Sequence, residues 1–66
     1  MSNNEKSIGE EIYSAISRSP YTLHSFAQQM NIKLKILESY INNEEIPEKK
    51  TINKMNKFLN KKIRYN

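Results

Sequence analysis

The stretch Thr22–Ile41, "TLHSFAQQMNIKLKILESYI", decides the fold, because two helical patterns meet in it across a very short break. Thr22 reads as the N-cap of the first pattern, in which Phe26, Ala27 and Met30 share a face. Ala27, small between two large neighbours, lets another helix approach closely. "NIK" reads as a turn with Ile32 as an apolar plug. The second pattern, from about Lys33 to Asn42, turns Ile36, Leu37, Tyr40 and Ile41 inward. Its other side carries Lys33, Leu34, Lys35, Glu38, Ser39 and Asn42.

Working outward toward the N-terminus, Ser7 followed by Glu10 forms a capping-box pattern, and Ile8, Ile12, Ala15 and Ile16 recur at helical spacing behind it. "RSPY" ends that helix, since the residue before Pro20 is pushed out of the helical region. Toward the C-terminus, "NNEE" is a helix stop, Asn being tolerant of the left-handed conformation. Ile46 is expected to insert apolar surface and Pro47 to set the direction of a last helix, roughly Glu48 to Asn60. That helix turns Ile52, Met55 and Leu59 inward, with Phe58 beside them. The expected core is Ile8, Ile12, Ile16, Phe26, Ala27, Met30, Ile36, Leu37, Tyr40, Ile41, Ile46, Ile52, Met55 and Leu59. Two short helices joined by a tight turn, preceded by one helix and braced by later ones, form a helix-turn-helix arrangement. The expected fold class is all-α, a compact bundle of four to five helices. Residues 1–7 read as a flexible leader, 8–60 as the domain, and 61–66 as a basic tail whose Ile63 tacks back onto the core.

Composition narrows the chemistry. At 66 residues the chain sits near the lower limit for one core without staples. It has no cysteine, no Asp, one His and one Gly, so thiolate metal sites, a Ser-His-Asp triad and a phosphate-cradling glycine loop cannot be written. His24 has no carboxylate or nucleophile at a helical spacing and reads as a surface side chain. Ser25 and Thr22 read as caps or solvent-facing hydroxyls, and Tyr13, Tyr21 and Tyr65 are too scattered for a stacking platform. No enzyme activity and no cofactor are expected. No run is long enough for a membrane span, and "MSNNEKS" lacks the apolar segment of a signal peptide. Lack of cysteine fits a reducing, intracellular setting.

The net charge of +4 is unevenly placed. Residues 1–30 hold Lys6 and Arg18 against three Glu, whereas 31–66 hold nine basic residues against four Glu. From Lys49 onward there are Lys49, Lys50, Lys54, Lys57, Lys61, Lys62 and Arg64, and no acid. A concentrated positive end attracts polyanions; the plain alternative is a solvated, charge-rich helix face. Lys50, Lys54, Lys57 and Lys61 recur at spacings of four, three and four, one stripe along the last helix. Lysines meet phosphates as point charges and read no sequence, which suits ribosomal RNA or the backbone of DNA. On the preceding helix Lys33, Lys35, Ser39 and Asn42 also suit phosphates or base edges, while Leu34 and Glu38 do not. That helix has no Arg or Gln for bidentate base reading, so sequence-specific readout is the weaker expectation, beside a helix that is core wall alone.

"IGEEI", "YTLHSFAQQMN", "ILESY", "EIP" and "INKMNKFLNKKIR" together resemble, without a gap from Ile8 to Arg64, the C-terminal domain of multiprotein bridging factor, a relative of the lambda-repressor and Cro type of helix-turn-helix. The resemblance implies a transcriptional coactivator that bridges the TATA-binding protein to an activator. It also implies a factor on the ribosomal small subunit and its proteins, a monomer of cytoplasm and nucleus. Family members carry a long basic region or a cysteine-rich ribbon ahead of this domain. Only seven residues precede Ile8, so less than full bridging is implied. Ile16 and Ile41 stand where the family has an Arg–Glu pair and are expected to touch, since losing both charges leaves no orphan. Leu23 replaces a common Gln that clamps phosphate, and Asn43 replaces a Gly at a position suited to positive φ. The rival expectation is a stand-alone, sequence-specific DNA-binding regulator of the repressor or antitoxin type, which would need a dimer.

Overall fold

The computed structural model describes residues 7–59, which form four α-helices: α1 Ile8–Ser17, α2 Leu23–Met30, α3 Leu34–Ile41 and α4 Lys49–Leu59. The all-α bundle expected from the sequence is what the chain adopts. Residues 60–66 lie outside the described residues, so the end of the domain at Asn60, the basic tail and the return of Ile63 do too.

Local sequence explains the starts of α1 and α2. At α1 the Ser7 hydroxyl accepts from the Glu10 N–H at 3.1 Å, and the Ser7 N–H donates to the Glu10 carboxylate at 3.0 Å. Ser7 is therefore the N-cap of α1, and residues 1–6 lie outside the described residues. Glu10 and Glu11 also sit in the first turn, where the helix dipole favours negative charge. At α2 the same reciprocal pair forms between Thr22 and Ser25, at 3.0 and 2.9 Å. Ser25 does there what Glu or Gln does in the commoner pattern. Between the two helices Ser19 donates to the Ile16 carbonyl at 2.6 Å and accepts from the Tyr21 N–H at 3.1 Å, folding the corner before Pro20.

Asparagine ends both central helices. Asn31 after α2 and Asn43 after α3 each take φ of 62°. Around Asn43, the Glu44 N–H reaches the Ser39 carbonyl at 2.8 Å and the Asn43 N–H reaches Tyr40 at 3.1 Å. Around Asn31, Ile32 bonds back to Ala27 and Asn31 to Gln28, each at 3.0 Å. Both are Schellman endings, which satisfy orphan carbonyls through one residue of positive φ. Between them the turn Asn31–Lys33 joins α2 to α3, completing the helix-turn-helix.

The core consists of Ile12, Ala15, Ile16, Phe26, Ala27, Met30, Leu37, Ile52 and Met55, drawn from all four helices. Each large side chain there contributes on the order of 1.5–3 kcal/mol by leaving water. Ile8, Tyr40, Ile41 and Leu59, expected inside, are half-buried against this cluster. No polar or charged side chain among the described residues is buried. Tyr21 sets its ring edge-on against Phe26, with centroids 5.3 Å apart, and so belongs to packing.

Two expected core positions are corrected. Ile46 is 70% exposed, and its neighbour Pro47 is the buried residue of the corner. Ile36 is only half-buried and is not part of the packed cluster, while Leu34 packs against the core in its stead.

α3 packs against both α1 and α2. Its closest approach to α1 is at Gly9, which is buried; an added Cβ would lie 2.8 Å from the Tyr40 carbonyl oxygen and closer still to that of Ile41. The Gly9 N–H donates to the Asn43 side-chain oxygen at 3.0 Å, and the Asn43 amide donates to the Ser7 hydroxyl at 3.0 Å. Asn43 thus supplies both the positive φ and a clasp across helices, the second being something glycine cannot do. Ile16 is buried and Ile41 half-buried against the same core, and Gly9 stands against the Ile41 backbone carbonyl.

Candidate nucleic-acid interface

The candidate residues divide by what surrounds them. Lys33 is the exposed N-cap of α3 and makes no side-chain cap bond; Lys35 follows it, exposed, in the first turn. Asn42, the C-cap of α3, is exposed as well.

Ser39 differs from these three in its surroundings. It is half-buried, and its hydroxyl donates to the Ile36 carbonyl at 2.8 Å while lying 3.5 Å from a Glu45 carboxylate oxygen. Its carbonyl accepts from the Glu44 and Glu45 N–H groups, at 2.8 and 3.3 Å, which straps both acids over the end of α3. Burial, followed by the charges of Glu45 and Glu48, pushes the Tyr40 hydroxyl above its ordinary pKa. The C-terminal half of α3 is therefore acidic territory, unsuited to a polyanion. Its N-terminal end, with Lys33 and Lys35, keeps the positive sign.

On α4, Lys49, Lys50, Lys54 and Lys57 are exposed. Lys50 lies 3.8 Å from Glu48, and because both side chains are well solvated the pair holds little energy. Lys54 reaches across to α2 and donates to the Met30 carbonyl at 3.4 Å. A cation at the last carbonyls of a helix meets the negative end of its dipole, so Lys54 helps dock α4 on α2. Lys61, Lys62 and Arg64 lie outside the described residues.

Lys50 and Lys54 border a shallow groove of about 340 Å³, lined also by Met30, Ile32 and Thr51. One wall is the α2–α3 turn and the other is the first half of α4. The sequence showed the lysine spacing but not this neighbour: Met30 and Lys54 are 24 residues apart, and no local pattern joins them. Met30, Ile32 and Thr51 were accordingly missed.

Fold and site together define a small all-α protein with a helix-turn-helix hairpin and a lysine-bordered groove beside its turn. No protein-family model matches the chain, and neither a curated protein nor a solved structure matches it significantly. Among the described residues no helix is long and apolar enough to cross a membrane.

Proposed function

We propose that the chain is a non-enzymatic protein of the multiprotein-bridging-factor kind, which holds the phosphate backbone of nucleic acid and acts as an adaptor in transcription. In this reading the polyanion is ribosomal RNA of the small subunit or DNA. Its protein partners are the TATA-binding protein, an activator or small-subunit ribosomal proteins. The observation that carries the reading is the cluster of Lys50 and Lys54 beside the α2–α3 turn, with Lys57 one turn further along α4. Ammonium groups there meet phosphates without reading bases.

Exposed Ile46 counts against the kinship, because the "EIP" corner was expected to bury it. The lysine cluster does not depend on that corner. A second reading, a dimeric operator-binding regulator, has one observation in its favour. In that reading a subunit contact would cover the apolar side chains of Ile46 and Tyr13, 70% and 51% exposed.

Sedimentation of the purified chain, with binding to random and palindromic DNA at several salt concentrations, separates the two readings. Bridging-factor behaviour means a monomer with salt-sensitive, sequence-indifferent binding. Pull-down with and without nuclease then recovers basal transcription factors or small ribosomal subunits. A dimer with one preferred palindrome would transfer the assignment to the regulator.

A further inference from the structure

We propose that the groove between the α2–α3 turn and α4 seats one unpaired base of a single-stranded nucleic acid, with the flanking phosphates on Lys50 and Lys54. This rests on the phosphate-binding reading above and narrows it to a substrate class. Phosphates by themselves need only ammonium groups in water. This groove adds something else: its lining also includes half-buried Ile32, buried Met30 and half-buried Thr51, the apolar floor that a base face would meet.

A duplex keeps its base faces stacked and could not use that floor. A single strand offers a base face and two phosphates within one nucleotide step. The volume of about 340 Å³ falls at the small end of ordinary ligand sites and admits one base. Lys54 is already held over the rim by its bond to the Met30 carbonyl at 3.4 Å. An ammonium has three donors, so two remain for phosphate oxygens, and little side-chain freedom is lost on binding.

An acidic peptide with an apolar side chain is the other occupant to consider. Against it, the positive charge runs past the groove on both sides: Lys33 follows Ile32 directly, and Lys57 lies three residues beyond Lys54. Such a row matches a repeating anion better than one or two carboxylates.

The test is fluorescence anisotropy of the full chain with a short labelled oligothymidine. The comparison strands are an abasic deoxyribose-phosphate strand of equal length, the corresponding duplex, and an oligoglutamate of equal charge. The oligothymidine should bind about fivefold tighter than the abasic strand, the low end of what one contacted base supplies, and tighter than the duplex. Ile32→Ala should shrink the ratio of base-bearing to abasic affinity, both strands being measured on the same variant. The wild-type comparison stands alone should that variant unfold. Equal affinity for the two strands, or a preference for duplex or oligoglutamate, overturns the seated base. Equal binding of strand and abasic strand leaves phosphate binding intact, whereas no binding of any strand at low salt removes both.

Discussion

At Gly9 two effects of adding a methyl group oppose each other. Alanine is the better helix former by roughly 1 kcal/mol. Its Cβ, however, would stand 2.8 Å from the Tyr40 carbonyl oxygen and nearer to that of Ile41, and both obstacles are backbone. Overpacking against parts that cannot rotate away costs about 1–3 kcal/mol or more, so the clash wins. Gly9→Ala should lower the urea midpoint by the equivalent of about 2 kcal/mol with an unchanged slope. Asn43 offers a graded test of the facing helix. Asn43→Gly keeps the positive φ but loses the bonds to Ser7 and Gly9, for a loss of about 1 kcal/mol. Asn43→Ala loses the tolerance for positive φ as well, costing roughly 1 kcal/mol beyond that. Chemical denaturation of the three proteins should rank them wild type, Gly, Ala; a Gly variant as stable as wild type would show the clasp to be idle.

At the scale of elements, the instructive cases are α3 and the corner before α4. Apolar residues on α3 span an arc of about 160°, wider than the stripe that packs, so periodicity leaves the edge of that stripe open. At about 100° per residue, Tyr40, Leu37, Ile41 and Leu34 span an arc of about 120°, and Ile36 falls outside it. Which stripe is buried depends on where α1 and α2 lie, and that is non-local. The corner shows the same thing in one dipeptide. Ile and Pro are both apolar, and only the path of the chain decides which faces inward; Pro47 does. Ile46→Ser should therefore change stability by no more than about 0.5 kcal/mol, as at other exposed positions. Pro47→Ala removes buried ring atoms and loosens the unfolded chain, for about 1–3 kcal/mol. Thermal melts of both variants check this, and the reverse order would place the corner the other way round.

The whole molecule divides into signs. α1 carries acids in its first turn, the end of α3 is overlaid by Glu44 and Glu45, and α4 with the α2–α3 turn presents lysines. Among the described residues the lysines gather on α4 and the α2–α3 turn, the side that the proposed polyanion would approach. Binding of random single strands should weaken linearly on a log–log salt plot, and Lys50→Gln or Lys57→Gln should each lower the slope by about 0.7. Lys54→Gln should do the same and also lose stability, because its ammonium caps the last carbonyl of α2. Anisotropy titrations at several salt concentrations, with denaturation of the three variants alongside, separate the two roles.

Helix identity and order were readable from residues 7–59 because they rest on neighbours in the chain. Ser7 with Glu10, Thr22 as a cap, the asparagines after α2 and α3, and apolar residues at helical spacing all act within a turn or two. The lysine spacing on α4 was readable for the same reason. Burial of Pro47 over Ile46, the packing of Leu34 rather than Ile36 against the core, the approach of Glu45 to Ser39, and the groove joining Ile32 to Lys50 and Lys54 were not. Each of these depends on the packed arrangement: on which segments come to lie side by side, or on which of two equally apolar neighbours faces the shared interior. A pattern that repeats every 3.6 residues specifies a helix and its candidate faces, but contact with another helix is needed to choose among them.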